Sequence, residues 1–124
     1  MPGVSTVNMG SVLALSSTNV WASGVGPGAT RNGFPRATFV HWNGTSWSIV
    51  SSPNPHPNTS SGAGEMAAVS ANDIFGLALG VIEHWDGTSW SIIDTLSGFG
   101  ATGVTALSDG TVVVVGENGG ILQN

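Results

Sequence analysis

The chain has 124 residues, a size at which one small domain can bury roughly two-thirds of its unfolded surface, and 40% hydrophobic content with a mean hydropathy of +0.23 excludes a disordered tail. Charged residues make up only 7%, lysine is absent and there are 19 glycines. That composition lacks the usual helix-surface residues and points to short strands joined by tight turns. The net charge of −5, with Arg31 and Arg36 as the sole cations, excludes a phosphate-binding patch, and so argues against nucleic acid and anionic membrane as partners; with no cysteine there is no disulfide or thiolate metal site.

In chain order, the stretch 3–8 within residues 1–10 alternates like a strand and is expected to supply the missing fourth strand beside Ile121–Gln123. Residues 11–64 are expected to hold strands at 11–16, 20–24, 37–42 and 46–51. A Gly/Pro-rich insertion, Val25 to Pro35, forms a loop between the second and third, and a proline-rich linker runs from Ser51 to Gly64. Residues 65–102 give strands at 66–70, 74–79, 81–85 and 89–93, and residues 103–124 give strands at 103–108, 111–116 and 120–123. No apolar run approaches the ~20 residues that span a bilayer. The start has no basic n-region, so no signal peptide is expected in this chain.

These elements recur. His41-Trp42-Asn43-Gly44-Thr45-Ser46-Trp47-Ser48-Ile49-Val50 returns 43 residues later as His84-Trp85-Asp86-Gly87-Thr88-Ser89-Trp90-Ser91-Ile92-Ile93, with eight of ten positions identical. Upstream, Ala14 to Trp21 matches Ala68 to Phe75 and, more loosely, Ala106 to Val113. Val81-Ile82-Glu83-His84 is paralleled by Ile121-Leu122-Gln123-Asn124. One period reads strand, turn, strand, turn, strand, Asx-Gly turn, strand. Four antiparallel strands in about 43 residues is the size of a propeller blade. The fold expected is all-β: a β-propeller fragment with two full blades, 11–64 and 65–102, and a partial third, 103–124, whose ring is completed by homo-oligomerisation, with a dimer favoured and a trimer second.

The Asx-Gly turn fits either a two-residue or a four-residue hairpin loop, and both place Trp42 and Trp47 on one sheet face with Val40 and Ile49. Trp85, Trp90 and Ile92 repeat the arrangement, and each tryptophan pair is positioned to plug a gap between blades.

Ser70 to Phe75 and Ile82 to Trp90 resemble, nearly residue for residue, the bacterial propeller repeats whose blades read roughly Ser-Ala-Asn-Asp-Val-Trp-Ala-Val-Gly … Ile-Glu-His-Trp-Asp-Gly-Thr-Ser-Trp. Val115 to Leu122 resembles their Val-Gly-Glu-Asn-Gly-Thr-Ile-Leu segment. The resemblance implies architecture and little about function. More distantly, the hairpin at 85–90 is similar to that of small bacterial fucose-binding propeller lectins, which also use an Arg and a Glu per sugar. Here Arg31 and Arg36 fall in or beside the first insertion only, so that site is not reproduced. The Asp-box of sialidase-type propellers is similar as well, but Asp86 lies four residues before Trp90 rather than five.

Trp42, Trp47, Trp85 and Trp90 are candidate sugar-stacking platforms, with His41, His84 and Glu83 as polar partners. The competing reading makes the tryptophans inter-blade core and gives each histidine a hydrogen bond to the adjacent blade. No HExxH, serine elbow or P-loop is present, and the one close carboxylate pair, Glu83 and Asp86, has Asp86 in a turn. The expectation is therefore a non-enzymatic module without cofactor or metal, soluble, and extracellular or cell-surface within a longer parent. It would bind neutral glycans multivalently, or else serve a structural or protein-interaction role.

Overall fold

The computed structural model describes residues 8–26, 36–53, 62–95 and 100–124. Eleven strands are present among them, in three antiparallel sheets that do not close a ring. Blade 1 is β1 (Asn8–Ser16), β2 (Asn19–Gly26), β3 (Arg36–Trp42) and β4 (Trp47–Val50), in that spatial order. Blade 2 is β5 (Ala63–Ser70), β6 (Asp73–Ala78), β7 (Val81–Trp85) and β8 (Trp90–Thr95). Blade 3 is β9 (Ala101–Ala106), β10 (Val112–Gly116) and β11 (Ile121–Gln123), joined by a single 3-10 turn at Glu117–Gly119. The chain is a propeller fragment of two four-stranded blades and a three-stranded one. No helix among the described residues is long and apolar enough to cross a membrane.

Strand 1 of each blade is innermost, since β5 lies against both β1 and β9. The observed bounds differ from the sequence expectation mainly at strand starts. β1 begins at Asn8, so Asn8–Gly10 belong to blade 1, paired with Val25 and Gly24 across a bulge at Gly10; the remainder of the expected closing strand lies outside the described residues. β5 begins at Ala63 rather than 66, because Ala63 pairs with Ala78 and a bulge absorbs the two residues before Met66. The linker is correspondingly shorter, and Arg36 opens β3 instead of sitting in the insertion. The insertion itself (27–35) and most of the linker (54–61) lie outside the described residues.

Alternation along each strand gives every blade an incoming face and an outgoing face. The outgoing face of blade 1 (Leu13, Leu15, Trp21, Ala37, Phe39, Val50) packs against the incoming face of blade 2 (Met66, Ile74, Ala78, Val81, Trp85, Trp90) in one cluster. Blade 2 presents Val69, Phe75, Leu77 and Ile82 to blade 3, which answers with Val104, Ala106, Val112 and Val114. Ser23, fully buried, crosses the first junction to donate its hydroxyl to the Gly64 carbonyl.

The first junction is centred on Phe39. Its ring is 0% exposed and stacks on Trp90 at 4.0 Å and 14°. Room for it exists because position 76 is glycine: a Cβ there would stand 2.9 Å from Phe39 Cε1 and 3.4 Å from Trp90 Cζ3. At the second junction Ile82 holds the position of Phe39, and Val114 that of Gly76. Large against absent has become medium against medium.

Trp90→Ala is expected to cost about 3–5 kcal/mol in chemical denaturation, as for truncation of a buried aromatic. Gly76→Val alone overpacks by about 1–3 kcal/mol. Combined with Phe39→Ile, which transplants the second junction's pair, it should cost less than the sum of the two single changes; strict additivity would show that the two positions do not share one space.

Candidate functional site

The repeated Asx-Gly-Thr-Ser segments build loops at one end of blades 1 and 2. Asn43 Oδ1 accepts the Thr45 and Ser46 amides at 2.9 and 3.0 Å, and Asp86 Oδ1 accepts those of Thr88 and Ser89 at 2.8 and 2.9 Å. The backbone closes each loop by an Asx N–H to Ser C=O bond, at 3.3 and 3.2 Å. Gly44 and Gly87 take φ values of 98° and 96°, a region that favours glycine. The Ser89 and Thr88 amides hold the Asp86 carboxyl below its ordinary value. Asp86 is an exposed loop residue, whereas Glu83 is buried in the blade junction, so the two do not form a carboxylate site.

Each histidine bonds within its own blade, not to the adjacent one as expected. His41 Nε2 meets Asn19 Oδ1 at 2.8 Å, and His84 Nε2 meets Asp73 Oδ1 at 2.7 Å. The reason is register: His41 pairs with Trp21 and His84 with Phe75, so each imidazole leans over the aromatic ring opposite (4.6 and 4.8 Å) and reaches the Asx that starts strand 2. In blade 3 Asn124, opposite Val112 as Trp85 is opposite Ile74, ties the same two ends together, accepting from Val112 N–H at 2.7 Å and donating to the Gly110 carbonyl at 3.2 Å. One latch between the start of strand 2 and the end of strand 3 thus appears three times. Burial pushes the His41 imidazole below its ordinary value.

The tryptophans separate into two situations. Trp42 and Trp47 face each other in register, as do Trp85 and Trp90. Trp90 is 4% exposed and plugs the first junction, so its ring offers no platform. Trp85 is half-buried, 4.9 Å from Trp21. Trp42 and Trp47 lie half-buried on the incoming face of blade 1 and plug no junction within this chain; the Trp42 indole donates to the Ser17 carbonyl at 3.2 Å.

Where blades 1 and 2 meet at the loop end, a cleft of about 180 Å³ is lined by Asn19, Trp21, His41, Asn72, Trp85 and Gly87, among others. It brings together His41 and Trp85 from the expected set. His84 lies toward blade 3, Trp42 and Trp47 are on the open face, and Glu83 and Trp90 are buried beneath. Trp21, Asn19 and Asn72 were missed; the available signal was an aromatic at the same repeat position in two blades, Trp21 and Phe75. Among the described residues no three His, Asp or Glu side chains gather to hold a metal.

Glu83 is the one fully buried carboxylate, and neither of its oxygens has a hydrogen-bond partner among the described residues; the Trp90 indole N–H also has none. In register, blade 1 carries Val40 at this position and blade 3 carries Leu122. Burial pushes the Glu83 carboxyl up from 4.5 to about 7, against a smaller opposing pull from the Arg36 charge.

No family model, curated protein or solved structure matches the chain.

Because the unfolded chain keeps the ordinary value, the folded state binds the extra proton between about 4.5 and 7. Stability should therefore be greatest below that window and fall as pH rises through it, by at most about 1.4 kcal/mol per pH unit. Melting temperatures recorded from pH 4.5 to 8 should show this decline, and Glu83→Gln should flatten it; an equally steep decline in the variant would place its origin elsewhere.

Proposed function

We propose that this chain is a non-enzymatic propeller module of the bacterial repeat type it resembles, binding neutral glycans at inter-blade clefts and presenting them multivalently in a homo-oligomeric ring. The observation that carries this reading is the cleft between blades 1 and 2. The Trp85 ring gives it an apolar wall suited to the C–H face of a pyranose, and the side chains of Asn19, Asn72 and His41 line it with amide and imidazole groups able to bond hydroxyls. None of these side chains carries a formal charge at neutral pH, which suits an uncharged sugar better than an acidic one. Sites repeated around a ring would strengthen weak individual contacts through avidity.

A second reading, a structural or protein-interaction propeller without sugar binding, is favoured by one observation: Trp90 of the repeated hairpin is core. The cleft separates the two. On a glycan array the wild-type protein should retain neutral glycans, and Trp85→Ala should abolish retention while far-ultraviolet circular dichroism stays unchanged. No sugar bound at high protein concentration would leave the structural reading standing.

A further inference from the structure

The two outermost faces of the fragment are the two halves of an interface that the chain already makes twice internally. Positions buried at an internal junction become exposed when they recur on an outer face. On the incoming side, Met66 is 8% exposed in blade 2, but its counterpart Val12 in blade 1 is 70% exposed. On the outgoing side, Ile82 and Leu77 pair with each other and are 8% and 5% exposed in blade 2, while the corresponding pair in blade 3, Ile121 and Val115, are 68% and 42% exposed. Leu107, counterpart of the half-buried Val69, is exposed as well. The incoming face of blade 1 has a floor of Ala22 and Val40, over which Met9 and Trp47 pack, with Val12 and Ile49 exposed beside them.

We propose that the outgoing face of blade 3 in one copy docks on the incoming face of blade 1 in a second copy, so that two chains close head-to-tail into one ring. This rests on the ring in the functional reading above and names its joint. The occupant is a second copy because the chain itself shows what covers each face: a blade of the same repeat, in the same order. The contact chemistry also agrees. Ile121 stands in the strand-3 position held by Phe39 and Ile82, and Ala22 in the strand-2 position held by Gly76 and Val114. Isoleucine facing alanine lies within the series that the internal junctions set, phenylalanine against glycine and isoleucine against valine. Val12, Ala22, Val40, Trp47 and Ile49 on one side, and Leu107, Val115 and Ile121 on the other, carry no charge to oppose burial. Such a joint is heterologous, since different patches meet, and it closes only if the rotation per blade returns to its start. Two copies give six blades, within the usual range of about 4–8; three copies would exceed it.

Light scattering of the wild-type chain at micromolar concentration should return the mass of two copies. Val12→Asp disables the incoming face and Ile121→Asp the outgoing face, so each variant alone should fall to the mass of one copy. Both positions are exposed in the single chain, so circular dichroism spectra should match wild type; Ile49→Asp and Val115→Asp provide a second pair should either variant unfold. Mixed together, Val12→Asp and Ile121→Asp chains retain one sound joint and should recover a two-chain species. A wild-type monomer, or a mixture that stays monomeric, would overturn the head-to-tail joint. The cleft at Trp85 lies within one chain, so failure of glycan binding and failure of this joint are separate results.

Discussion

The structure depends on one aromatic ring crossing between sheets. Phe39 leaves blade 1, lies flat on Trp90 of blade 2, and fits only because Gly76 presents no side chain beneath it. Each sheet alone is a thin layer with two faces and no interior, so stability comes from closing junctions rather than from blade cores. At this junction the closure is made by stacked aromatic area, and Trp21 extends it by meeting Trp85 at 4.9 Å and Trp90 at 5.5 Å. The second junction is aliphatic instead, built from Leu77, Ile82, Val112 and Val114. The same backbone arrangement is held by two different packings, which is expected when volume and polarity pattern, not residue identity, are what the interface requires.

That dependence explains the placement of Glu83. A carboxylate without hydrogen-bond partners in an apolar junction is costly unless it keeps its proton. Val40 and Leu122 at the same position avoid the cost, so the blade architecture does not demand the acid. Its burial follows from strand alternation: position 83 shares a face with Val81 and Trp85, and that face is covered by blade 1.

Much of the architecture was legible in the sequence because the repeat is written in both polarity and turn chemistry. The exact return of His-Trp-Asx-Gly-Thr-Ser-Trp located both outer hairpins, and parity alone placed Trp42 with Trp47 and Trp85 with Trp90. The starts of β1 and β5 were less legible, since each is lengthened across a bulge, and a bulge breaks the period-2 pattern from which a strand is read. The histidine partners were misjudged for a related reason. A cross-strand contact depends on register between strands 2 and 3, and in blade 1 an insertion separates those strands, hiding the register from the sequence. The cleft was only half legible: His41 and Trp85 belong to the conspicuous hairpin, but Trp21, Asn19 and Asn72 come from turns and strands whose meeting is set by how two blades pack.

Repetition also separates what builds the blade from what distinguishes one blade from the next. The Asx loop occurs twice and the strand-2 to strand-3 latch three times, with His41, His84 or Asn124 at one end. Residues that recur in this way perform the same local task in every blade, which makes them poor candidates for ligand recognition in themselves. Recognition can arise where non-identical blades meet, because there the combination is not repeated. Between blades 1 and 2 an indole wall from Trp85 stands opposite Trp21 and His41. Toward blade 3 the corresponding space has Phe75, Ile82 and Asp94 on one side, while blade 3 answers with Gln123, Asn124 and aliphatic side chains. The first cleft therefore sets two indoles among uncharged polar groups, where the second has one phenyl ring and the Asp94 carboxylate, and its chemistry belongs to the junction rather than to either blade.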